Sequence, residues 1–147
     1  MIRKWLKWLR PSSQGELALT ELFNSSSVTT EAIHLEEVGL LSGQSTTIQW
    51  ICTETTAKTR VSKRSKRSIK HFWHEDDREL SDFTTLISSI RKLDTIPLED
   101  YYAPVRDGGY YYIAWGTHEC IRSVTIRIPL KEVLHQRLIA LIKDSVE

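Results

Sequence analysis

Asp107-Gly108-Gly109-Tyr110-Tyr111-Tyr112-Ile113-Ala114-Trp115-Gly116-Thr117-His118-Glu119, followed by Ser123-Val124-Thr125-Ile126-Arg127-Ile128-Pro129, decides the fold class of this 147-residue chain. Asp107, Gly108 and Gly109 suit a turn, and the run from Tyr110 to Trp115 is rich in strand-favouring residues. Gly116 to Glu119 break the chain again, and Ser123 to Ile128 alternate polar with apolar at period 2. This pattern predicts a β-hairpin with one buried face. Alternate members of the first strand must face outward, so Tyr111 and Trp115 are candidates for an exposed aromatic patch of the kind enriched at protein interfaces. Cross-strand aromatic pairing with partial burial is the competing reading.

Upstream of the hairpin, Phe83, Leu86, Ile87, Ile90 and Leu93 recur at the helical period, with Ser81 as the expected N-cap. Asp82 in the first turn and Arg91-Lys92 in the last match the helix dipole. Downstream, Pro129 is expected to open a final helix carrying Leu130, Val133, Leu134, Leu138, Leu141 and Ile142 on one side. Residues 81–147 thus read as a helix, hairpin, helix unit. Ala32 to Leu41 and Thr46 to Thr53 predict two strands around Gly43, with Ile48, Trp50 and Cys52 on one face. Ile69 to His74 predicts a third strand. Between them, residues 54–68 form a basic loop or an extended hairpin arm. Glu16 to Phe23 adds a helical turn or two. At the start, Ile2, Trp5, Leu6 and Leu9 lie at helical spacing opposite Arg3, Lys7 and Arg10, an amphipathic helix over residues 1–10 that Pro11 ends. The sum is a single α+β domain over residues 1–147. It has one antiparallel sheet of about five strands packed against two main helices on one face, with a short N-terminal amphipathic helix. The same strand count also permits a strongly curved half-barrel.

Hydrophobic content of 40% and charged content of 27% are ordinary for a globular protein. The net charge of +1 hides a dipole along the chain: residues 1–70 carry 11 Lys and Arg against 6 Asp and Glu, and residues 71–147 carry 9 against 13. No run is long and apolar enough to span a bilayer, and no apolar signal-peptide core follows the basic start. Cys52 and Cys120 are too few for a disulfide framework and are expected to be buried free thiols in a reducing cytoplasm.

The tract from Lys58 to Lys70 holds seven cations and no acid. Lys63, Arg64, Lys66 and Arg67 at its centre suit phosphate neutralisation, with Phe72 and Trp73 near enough to stack on bases, so nucleic-acid binding is one functional class to test. A solvated loop that pairs with the acidic run Glu75-Asp76-Asp77 is the structural counterpart. Trp5 and Trp8 among four cations suit an anionic membrane surface, and equally a helix docked on the core. His71 and His74, three residues apart, point to opposite faces of a strand, and no tetrahedral ligand set emerges with His118 or Cys120. No nucleophile stands in an activating context and no phosphate-cradling glycine loop is present, so neither catalysis nor a cofactor is expected.

The helix from Ser81, then Leu93 to Pro97, Asp107-Gly108 leading into Tyr110 to Ile113, a second strand, Pro129 and a closing helix together resemble small bacterial proteins of the immunity type. These neutralise a cognate toxin by binding it. The resemblance covers about residues 81–143 and rests on generic elements. It implies a non-enzymatic protein-binding module of unknown oligomeric state with a protein partner, and carries over no functional residue; the expected contacts, the acidic run Glu75, Asp76 and Asp77 and the aromatics Tyr111 and Trp115, are read from the residues themselves.

Overall fold

A computed structural model of the chain describes residues 13–39, 43–64, 72–95, 98–102, 108–128, 130 and 132–147. The expected amphipathic helix at 1–10 lies outside them. Among the described residues the order is α1 (Ser13–Ser25), β1 (Glu31–Val38), β2 (Ser45–Cys52), β3 (Ala57–Arg64), β4 (His74–Arg78), α2 (Leu80–Leu93), β5 (Tyr110–Thr117), β6 (Ile121–Arg127) and α3 (Val133–Asp144). All six strands join one antiparallel sheet in the order β4-β3-β2-β1-β5-β6. The fold class is therefore the expected α+β, with one more strand.

The extra strand is β3, which falls inside the stretch read as a basic loop. Its residues Ala57 and Thr59 are buried and Val61 is half-buried, so alternate side chains of its first half meet the core while Lys58 and Arg60 lie between them on the opposite face. β4 begins at His74, where the expected third strand was to end, and is built from the acidic run itself. Helix α2 starts one residue before Ser81, on Glu79, whose carbonyl accepts the Asp82 N–H at 3.1 Å. α3 starts at Val133 rather than at Pro129, which lies outside the described residues.

Helices cover both faces of the sheet, not one. On the first face α2 and α3 bury Phe83, Leu86, Ile87, Ile90, Leu138, Ile139 and Ile142 against Ile33, Leu35, Ile48, Trp50, Cys52, Ile113, Val124 and Ile126. This is the face on which Ile48, Trp50 and Cys52 were expected together. On the second face α1, a full 13 residues long, packs Leu19, Leu22 and Phe23 on Ala32, Ile51 and Ala114, with half-buried Ile121 beside them. Ala32, Ile51 and Ile121 lie in one transverse row, because the register sets Ala32 opposite both Ile51 and Gly116, and Gly116 opposite Ile121, while Ala114 lies in the next row opposite His34.

Polar clamps fix the helices to the sheet. Trp50 Nε1 donates to Ser145 Oγ at 2.9 Å, just past the end of α3. Lys143 Nζ donates to Tyr111 Oη at 3.0 Å, and Tyr111 in turn donates to Glu37. Behind α2, Arg122 donates twice to Asp94, at 2.8 and 2.7 Å, and the Leu98 N–H adds a third donor at 3.1 Å. The Arg122 hydrogen bonds foremost, with the Leu98 N–H, hold the Asp94 carboxyl below its ordinary value of 3.8, against the opposing effect of burial. The folded state thus binds the Asp94 proton less tightly than the unfolded state. Its stabilisation is full above pH 3.8 and is lost as pH falls through the lower folded value. Asp94→Asn is expected to cost about 1–2 kcal/mol at pH 7, trimmed by solvent at Arg122, and to flatten the acid limb of a urea-unfolding pH series. An unchanged acid limb would remove this clamp from the stability account.

The two edges of the sheet differ. Along β6, Tyr101 N–H donates to the Thr125 carbonyl at 2.9 Å, Arg127 N–H donates to the Tyr101 carbonyl at 2.8 Å, and Asp100 takes the Thr125 N–H at 2.8 Å. Asp100 and Tyr101 thereby cover the Thr125–Arg127 part of that edge, through one isolated parallel bridge. β4, at the other end, pairs only with β3 among the described residues.

Candidate functional site

The open edge is also the acidic one. Its register sets Asp77 against Lys58, Asp76 against Thr59 and Glu75 against Arg60. Glu75 lies 3.6 Å from Lys58, while Asp76 lies 3.3 Å from His74 and 3.8 Å from Arg78, and all three acids are exposed. Opposite charges on facing strands let a nearly all-charged segment pair as a strand. Alternation places Glu75 and Asp77 on the α1 side and His74, Asp76 and Arg78 on the other. Arg78 Nε donates to Thr59 Oγ1 at 3.0 Å there, with its guanidinium over Trp50.

Beside α1 the sheet changes character. One row beyond the apolar one, Arg60, Gln49 and His34 are direct register neighbours on β3, β2 and β1. Arg60 Nε donates to Gln49 Oε1 at 2.6 Å, and Gln49 Nε2 sits 3.0 Å from His34 Nδ1. Because guanidinium only donates, Gln49 Oε1 must accept, so its amide nitrogen donates to Nδ1 and leaves His34 protonated on Nε2. Arg60 also lies over the Trp73 ring, 4.2 Å from its centre. Burial draws the Arg60 pKa down, with Glu75 opposing.

The next row runs Ser62, Thr47, Glu36, Tyr112 and Thr125. Thr47 and Thr125 are buried with hydroxyls that find no hydrogen-bond partner among the described residues. Glu36 is half-buried, 4.0 Å from His34 Nε2, too far for a hydrogen bond. Burial pushes its carboxyl above the ordinary 4.5, and Arg64 offsets this only in part. A cavity of about 400 Å³ opens here between α1 and the sheet, lined by Glu21, Leu22 and Ser25 of α1 and by His34, Glu36, Thr47, Gln49, Arg60 and Trp73. A second, of about 340 Å³, shares Leu22, Ser25 and Arg60 with it and reaches Lys58 and Asp77 of the acidic edge. Further across the same face Tyr110 and Tyr112 stack at 5.8 Å, and Arg127 lies 4.6 Å over Tyr110.

The residues expected to make contacts are only partly gathered here. Glu75, Asp76 and Asp77 line the open edge. Tyr111 and Trp115 do not form a surface patch: at 5% and 2% exposure they belong to the core under α2 and α3. They share parity with Ile113, and the core needs all three, so Tyr110 and Tyr112 take the other face. The described part of the basic tract, residues 58–64, divides its cations between the two faces of the sheet. As β3 it sends Lys58, Arg60 and Arg64 to the α1 side and Lys63 to the other, with Lys58 and Arg60 facing acids of β4; Lys66 and Arg67, like Trp5 and Trp8, lie outside the described residues. Trp73, expected to stack on a base, stacks on Arg60 of the tract. Of the two thiols, both free, Cys52 is buried and Cys120 is exposed in the β5–β6 turn. No helix among the described residues is long and apolar enough to cross a membrane. His34, Glu36, Thr47 and Gln49 were not singled out in the sequence. The signal for them was polar residues at alternate positions of strands whose other positions are large and apolar. No protein-family model matches this sequence, and no curated protein matches it.

Proposed function

We propose that the protein is a non-enzymatic protein-binding module of the immunity or inhibitor type, acting in the cytoplasm through the acidic edge strand β4 and the polar face beside it. The observation that supports this most is the contrast between the two sheet edges. β6 is covered from Thr125 to Arg127 by Asp100 and Tyr101, whereas β4 is exposed, unpaired on its outer side among the described residues, and lined by Glu75, Asp76 and Asp77. An open edge accepts an added strand through main-chain hydrogen bonds, and its charge selects which strand. The fitting partner is a protein with a basic extended segment. Two free thiols suit a reducing compartment.

The test is affinity capture from nuclease-treated host lysate with the wild type and a Glu75→Gln/Asp77→Asn double variant. Wild-type protein is expected to retain one protein stoichiometrically, and the double variant to retain it at least about tenfold more weakly while unfolding at the same temperature within about 2 °C, since exposed substitutions cost little. Equal retention by the variant, or recovery of nucleic acid alone before nuclease treatment, would overturn the reading.

A further inference from the structure

The cavity between α1 and the sheet holds two neighbouring polar groups, on Thr47 and Glu36, that find no hydrogen-bond partner among the described residues. Thr47, 2% exposed, lines this region with a buried hydroxyl that has no hydrogen-bond partner among the described residues, next to its register partner Glu36. Among the described residues no cation hydrogen-bonds Glu36: His34 Nε2 is 4.0 Å away, and Arg64 acts on it through space. Glu21 adds a second carboxylate from α1, and the last turn of that helix holds no basic residue to offset its carbonyls near Ser25. Arg60 is the one cation lining the cavity among the described residues. It is already engaged by Gln49 at 2.6 Å, by the Trp73 ring at 4.2 Å and by the field of Glu75. The cavity thus offers two carboxylates and a hydroxyl able to accept hydrogen bonds, beside a wall that includes an aromatic ring.

Building on the protein-binding function proposed above, we propose that this cavity receives an arginine side chain of the partner, with its guanidinium donating to the Glu36 carboxylate and the Thr47 hydroxyl. A planar fork of five donors fits two acceptors side by side, which a single ammonium does not. The cavity shares Leu22, Ser25 and Arg60 with the second one that reaches Asp77, so a basic segment on β4 lies within reach of it.

The inference separates binding from stability. Since burial raises the Glu36 pKa, its charge is a cost in the folded state: the associated stability is present below pH 4.5 and declines as pH rises through the folded value. Glu36→Gln is therefore expected to keep or raise the melting temperature near neutral pH. Thr47→Val, which removes an unmatched buried hydroxyl, is expected to do the same.

The test is a titration of ¹⁵N-labelled protein with Nα-acetyl-arginine N-methylamide, followed by amide shifts. Saturable shifts at Glu36, Thr47 and Gln49 are expected. Each variant should weaken the fitted affinity by about tenfold, and the glutamate counterpart should give no saturable shift. Equal binding by the lysine or glutamate counterpart, or unchanged binding in Glu36→Gln, would overturn the assignment. If that happens while the β4 variant still loses its protein partner, the protein-binding function stands and only the cavity assignment falls. Arginine binding as described without any protein captured through β4 gives the reverse.

Discussion

Phe83→Ala is expected to destabilise the protein by about 3–5 kcal/mol, the range for emptying a fully buried aromatic site. Phe83 is 1% exposed on the inner face of α2, and its ring centre lies 6.1 Å from that of Trp50 in a tilted arrangement. Both partners are immobilised from elsewhere: Trp50 by Ser145 behind it, Phe83 by the helix that Asp94 and Arg122 fasten to β6. The void therefore cannot close cheaply. Against a total stability of about 5–15 kcal/mol the loss takes a large share. Urea unfolding followed by circular dichroism is the measurement, with the midpoint falling and the slope unchanged. Phe72→Ala serves as the control. Its side chain is 77% exposed, and a change within about 0.5 kcal/mol is expected. A Phe83→Ala cost below about 1 kcal/mol would mean that α2 does not seat on Trp50 as described.

Gly116→Ala is expected to cost about 3 kcal/mol or more, because two separate penalties meet at one residue. Gly116 has φ +135°, a conformation side chains rarely adopt, and a Cβ there would overlap the carbonyl oxygen of Cys120. That carbonyl is not free to move: it accepts the Thr117 N–H at 3.1 Å, and Cys120 N–H donates back to Thr117 at 3.2 Å, closing the β5–β6 turn. Gly43, in the β1–β2 turn, is the contrast. Its φ of 63° is ordinary left-handed backbone, where asparagine is well tolerated, so Gly43→Asn is expected to cost less than about 1 kcal/mol. Thermal unfolding of the two variants, with hydrogen exchange at Ile121 to Val124, distinguishes them. Equal costs would contradict the geometry of the second turn.

Where the sequence was legible, a single apolar face was at work. β6 was found from alternation, β5 from strand-favouring residues between two turns, β1 and β2 as runs around Gly43, and α2 and α3 from the 3.6 period of the large side chains they bury. The parity of β5 was missed because it is covered on both faces: Ala114, under α1, is as buried as Ile113, under α2 and α3, so exposure no longer alternates. The second covered face left little trace because its floor is small residues spread one to a strand, Ala32 on β1 and Ala114 on β5 among them. β3 and β4 were obscured by charge. Their pairing is legible only between strands, in Lys58 against Asp77 and Arg60 against Glu75, and a local pattern carries no register. The cavity was harder still, since Glu36 and Thr47 are remote in sequence and meet only through the β1–β2 register.

The unequal edges of the sheet also limit how this molecule can assemble. A sheet open at both ends can add copies indefinitely and grow into a fibre. With Asp100 and Tyr101 lying along β6, main-chain growth is left to β4 among the described residues. Two copies meeting there would form a closed twofold pair with nothing left to extend. Such a pair would also bring two sets of Glu75, Asp76 and Asp77 together, and like charges facing across strands repel. The covered side makes association finite, and the charged side turns it away from self and toward a strand of opposite sign.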